Sequence, residues 1–230
     1  MPSAIPTRDD LKDFKVLLEH LFTTGQGHYE SIDDQNYNKF SSLFNPFPRK
    51  KALEGKLKSI DSGTNGGFGK DFLYIMPPQD SKKGTVAILH IGCEAAQDNR
   101  PWRLRMRLGI FIPCDPDHTV DHLPPGYCFV GYRFETPEGH GATPETTGAH
   151  DYYHVQPITG FEHDGPHFGP AWWPVRYPAF PVVADSPASL LGAMMVSLYG
   201  GNTIERLKGL RLYNTTKTKL AKVISCSLAA

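Results

Sequence analysis

A single α+β domain is what this chain predicts, with a mostly antiparallel sheet of about five strands flanked by N-terminal and C-terminal helices. Apolar residues fall at helical spacing near both ends, whereas the middle of the chain alternates apolar and polar residues at the strand period. The gaps between those alternating segments are rich in Gly, Pro, Asn and Asp and leave no room for helical crossovers, which favours a meander of hairpins. At 230 residues the chain is long enough to bury one substantial core. It divides into a helical part (1–62), a sheet (70–157), a proline- and aromatic-rich loop (158–185) and C-terminal helices with a tail (186–230).

The first helix opens at Thr7, a candidate cap, with Asp9 and Asp10 in its first turn. Leu11, Phe14, Leu17, Leu18, Leu21 and Phe22 then share one face, and Gly25 is the expected stop. Tyr29, Ile32, Tyr37, Phe40 and Leu43 give only weak helical spacing, and a basic helix is expected over 49–60, after Pro46 and Pro48. Strands are expected at 72–76, 85–91, 103–112, 127–135 and 151–156. Ser186-Pro187 then reads as a cap followed by a first-turn proline, ahead of Leu190, Leu191, Met194, Met195 and Leu198. Gly200-Gly201 ends that helix, and a shorter one is expected over 203–210.

The 24 basic and 24 acidic residues cancel, so any grip on nucleic acid must come from a local patch. Cys93, Cys114, Cys128 and Cys226 show no Cys-x-x-Cys spacing, and their separations suggest neither a zinc site nor a disulfide framework. Neither a metal nor a cofactor is expected. The opening Met-Pro-Ser-Ala-Ile-Pro lacks a basic region followed by an apolar one, so no signal peptide is expected. No apolar run reaches the length of a membrane span. A cytoplasmic protein with reduced thiols is the expectation.

Arg103, Arg105 and Arg107 are the strongest chemical signal. They alternate with Leu104, Met106 and Leu108, so a strand would carry all three guanidiniums on one face, about 6.6 Å apart. A row of planar forks suits a repeated anion such as a phosphate backbone. A solvated sheet face alternates in the same way, but lysine would serve there equally well, and none is present. Arg133 lies on the next strand at the parity of Glu135; pairing of the two strands would extend the basic surface and partly neutralise it.

Histidines form a second theme. His154 sits on an expected strand, and His163 and His167 bracket a loop with Asp164 between them. With an arginine nearby these three could supply the base, acid and charge stabilisation of metal-free phosphodiester cleavage. Structural hydrogen bonding in a proline-rich loop is the competing account. Trp172 and Trp173 could stack nucleic-acid bases or close the core. Gly63 to Lys70 resembles a phosphate loop only superficially, because the glycine spacing is wrong, Asp71 follows the lysine, and a strand follows where one should precede.

The leading expectation is an accessory or binding subunit of a multi-protein complex. It would grip nucleic acid or an acidic protein partner through Arg103, Arg105, Arg107 and Arg133, with Trp172 and Trp173 as further contacts. The alternative is a metal-independent nuclease or other hydrolase using His154, His163 and His167. A place in a bacterial defence complex fits the general character of the chain but rests on no residue.

Overall fold

The computed structural model describes residues 8–29, 39–40, 42–43, 45–46, 71–78, 81–94, 103–120, 122–136, 153–161, 167–168, 180–181, 184–200, 210–212, 217–218 and 221. The helix expected at 49–60, all but Leu210 of the one expected at 203–210, the glycine run at 63–70, and His163, Trp172 and Trp173 lie outside them.

Helix α1 spans Arg8–Tyr29 and buries Phe14, Leu17, Leu18 and Leu21. It passes the expected stop at Gly25, since a helical glycine costs only about 1 kcal/mol and breaks the helix only by turning left-handed. The strands follow as β1 (Asn45–Pro46), β2 (Asp71–Ile75), β3 (Val86–Glu94), β4 (Arg103–Pro113), β5 (Tyr127–Glu135), β6 (His154–Ile158) and β7 (Phe180–Pro181), before α2 (Pro187–Tyr199). Their spatial order is their chain order. The five strands β2 to β6 form an antiparallel meander, as the short connections imply, and two-residue pairings extend it at each edge.

β6 lies later in the chain than the alternation suggested, and it includes Pro157 opposite Tyr132. A proline has no N–H to offer a second neighbour. β7 pairs only with His154 and Val155, so at Pro157 none is asked for. The segment expected as a loop after β6 also contributes to the core, through an isolated bridge between Gly160 and His167 and the buried rings of Phe161 and Phe168.

Each face of the sheet has its own cluster. α1 and α2 cover one face, where Leu73, Leu89, Leu104, Met106, Leu108 and Phe134 meet Leu17, Leu18, Leu191 and Met194. α2 starts as its sequence implies: the Ser189 N–H donates to the Ser186 hydroxyl oxygen at 3.2 Å, and the Ser186 N–H donates to Ser189 Oγ at 3.0 Å. The Tyr199 hydroxyl at its far end donates to the Met76 carbonyl at 2.9 Å, tying α2 to the end of β2.

Half of the opposite face is aromatic. Phe40, Phe72, Phe111, Tyr127, Phe161 and Phe168 interlock there, with centroid separations such as 4.7 Å for Phe40–Phe111 and 4.8 Å for Phe129–Phe168. Gly109 and Gly131 pair directly across β4 and β5 beneath these rings. A methyl at Gly109 would strike Phe161, and one at Gly131 would strike Phe129. The other half of this face is polar.

Candidate functional site

The alternation on β4 works as a strand must. Leu104, Met106 and Leu108 are buried beneath the helices, which sends Arg105 and Arg107 to the opposite face. The ladders then assemble their neighbours. Arg105 pairs with Glu135, Arg107 with both His90 and Arg133, Arg133 with Gln156, and Glu135 with His154. Five residues predicted as separate signals, on three strands, therefore share one patch. Arg103 stands two positions further along the same strand, opposite Glu94.

Glu135 is the hub. Its side chain is 3% exposed and one oxygen accepts from Arg105 Nε. The other oxygen lies 3.0 Å from Arg133 Nε and 3.3 Å from His154 Nε2. Burial alone would raise the carboxyl pKa, but the close approach of His154 and the charges of Arg133 and Arg105 outweigh it and hold the group at about 2. Glu135 is therefore ionised at neutral pH, and it orients two guanidinium planes.

The arginines are neither free in solvent nor sealed away. The Arg105 side chain is 31% exposed and that of Arg133 24%, so each anchors on Glu135 and still reaches water. The expectation of an outward-facing row is thus amended, at Arg105 and Arg133, to half-buried forks aimed by an internal carboxylate. Arg107 Nη1 lies 3.4 Å from His90 Nδ1, and the His90 ring sits 5.1 Å from that of Phe72, where the polar half meets the aromatic half.

The two described histidines of the expected cluster, His154 and His167, do not converge. His154 is wholly buried beside Glu135 and stands in register with Pro181 of β7. His167 bridges Gly160, six residues beyond His154 and hence about 20 Å further along the sheet. His90, which sequence reasoning passed over, and Gln156, which shares the face of His154, join the patch because the register puts them at its parity. The register of β3 on β4 and of β6 on β5 is the signal that finds them.

One more cluster emerges at the far end of the same strands. Among the described residues, Cys114, His118 and Cys128 form the one group able to hold a metal ion, with their ligand atoms all within 4.8 Å of one another. Spacing argued against such a site. The long turn between β4 and β5 brings the two cysteines together all the same, because Ile112 pairs with Cys128 and the Cys114 N–H donates to the Gly126 carbonyl. Partial burial and the neighbouring Cys128 push the Cys114 thiol up to about 11.

No described helix is long and apolar enough to cross a membrane. Comparison with family models, with curated proteins and with solved structures finds no match for this chain, so function is read from the chemistry of the site itself.

Proposed function

We propose that the polar half of the sheet is an anion-binding face that grips the phosphate backbone of nucleic acid, within a cytoplasmic hetero-complex. The observation that carries this reading is the cross-strand register of Arg107 against Arg133 beside the Arg105–Glu135 pair. Like charges set directly opposite one another on a ladder destabilise it, with side chains about 5 Å apart at their bases. A ligand anion lodged between two such forks converts repulsion into bidentate attraction. Glu135 keeps the neighbouring guanidiniums in place before any ligand arrives, so less side-chain entropy is lost on binding.

Arg103 extends the row along β4, and the alternate spacing of about 6.6 Å suits successive charges on a strand better than a single small anion. Trp172 and Trp173 enter the proposal as stacking groups for bases, on the strength of their residue type.

The test is a binding titration with single-stranded RNA and DNA over a range of salt, with polyglutamate as the acidic-protein arm. Wild-type protein should bind nucleic acid with a salt-dependent affinity. A variant carrying Arg103→Gln, Arg105→Gln and Arg107→Gln should lose that binding while keeping its circular dichroism. Any residual binding should show a log–log salt slope flatter by about 2 to 3, for three lost phosphate contacts. Unchanged affinity in the variant would end the proposal, and binding confined to polyglutamate would move it to an acidic protein partner.

The hydrolase reading has weaker support, because His154 is buried and His167 lies far from it. RNA cleavage that survives EDTA and disappears in a His154→Ala variant would reinstate it.

A further inference from the structure

We propose that Cys114, His118 and Cys128 bind a zinc ion that clips the long β4–β5 turn to the sheet. The three residues are held independently of any ion. Cys114 continues β4 and hydrogen-bonds through its N–H to Gly126 at 2.8 Å, and Cys128 lies within β5. His118 is fixed from both sides of its own peptide: its N–H donates to the Asp115 carbonyl at 2.9 Å, and its carbonyl accepts from the Gly126 N–H at 3.0 Å. Asp115 Oδ1 accepts from the Asp117 N–H at 3.0 Å, which tightens the turn that carries the histidine. Gly126 has φ +81°, a conformation that a side chain disfavours, and it lets the returning chain pass close to Pro116.

The donor geometry fits a tetrahedral ion. Zinc binds sulfur at about 2.3 Å and imidazole nitrogen at about 2.0 Å, so two sulfurs on one ion stand about 3.8 Å apart. Ligand atoms already within 4.8 Å of one another need only small side-chain rotations to reach that arrangement. Two thiolates and an imidazole are soft and borderline donors, which select zinc over magnesium or calcium. Three protein ligands leave the fourth position to water. Binding releases the two thiol protons to solvent, with no change of oxidation state.

A disulfide suits the geometry less well. The cysteines sit on a diagonal of the ladder, not directly opposite, with α-carbons about 7 to 8 Å apart, beyond the usual reach of the bond. Both are free thiols here.

The test uses the full-length protein, purified under reducing conditions without chelator. Elemental analysis should find one zinc per chain. After the zinc is stripped, titration with cobalt(II) should produce thiolate-to-cobalt charge-transfer absorption that saturates at one equivalent and is abolished by one equivalent of zinc. Cys114→Ser with Cys128→Ser should remove that absorption. His118 is exposed, so His118→Ala should keep the fold and weaken cobalt affinity by at least about tenfold. Failure of wild-type protein to develop the absorption, or an unchanged titration in the His118→Ala variant, would overturn the proposal. A Cys114–Cys128 disulfide found by mass spectrometry in freshly isolated protein would overturn it equally.

Discussion

Glu135 shows how one residue can govern a site it does not itself present to solvent. Its carboxylate joins Arg105, Arg133 and His154, so its removal would leave cationic groups facing each other in a half-buried setting. Glu135→Gln should therefore cost about 3 kcal/mol in urea denaturation, the lower end for a broken buried pair because the arginines still touch water. The pH dependence has a definite sign. The carboxyl has a folded pKa of about 2 against an unfolded value of 4.5. Its contribution is thus complete above pH 4.5 and disappears as the pH falls towards 2. Stability measured from pH 6 downward should decline through that window, and the decline should be shallower in the Glu135→Gln protein. An equal slope in both would show that other carboxylates carry the acid sensitivity. The arginine row and the neutralising glutamate were legible in the sequence, since both follow from strand parity. The near-complete burial of Glu135 was not, because it depends on β6 closing over β5 with His154 in register.

At the scale of the elements, the sequence was most legible where a single local rule decides the outcome. Ser186-Pro187 opens α2, and the apolar alternation of β4 and β5 sets their spans to within a residue. It was least legible where tertiary pairing decides. Pro157 looked like the end of a strand but lies inside β6, and Phe161 and Phe168 looked like loop residues but belong to the aromatic cluster. The paired glycines are a similar case. Gly109 and Gly131 carry no signal of their own in the sequence, yet their missing side chains make the floor on which Phe161 and Phe129 lie. Gly109→Ala should push the Phe161 ring out of the cluster and destabilise the protein by about 1 to 3 kcal/mol, an overpacking cost visible as a lower Tm. A Tm equal to wild type would show that the aromatic layer has slack. The two cysteines illustrate the same limit, since a separation of fourteen residues becomes a contact only when a hairpin closes it.

Taken whole, the molecule places its two candidate sites at opposite ends and on opposite faces of the sheet. Arg105 lies near the start of β4 and Cys114 directly follows its end, nine residues later, which at the strand rise is about 30 Å, and their parities differ. The two sites should therefore act independently. Stripping zinc from wild-type protein should leave its affinity for RNA unchanged, and the triple arginine variant should titrate with cobalt as wild type does. A change in either, measured with the other site intact, would show that the strand couples them.

The neighbour-by-neighbour order of the strands also bears on how the protein is made. Each strand can dock on its predecessor as soon as it leaves the ribosome, without waiting for a distant segment. The face that carries Leu104, Met106 and Leu108 nevertheless stays partly bare until α2, which follows all seven described strands in the chain, arrives to cover it. The nascent chain is most exposed to aggregation in that interval, when its sheet is complete and its lid is not.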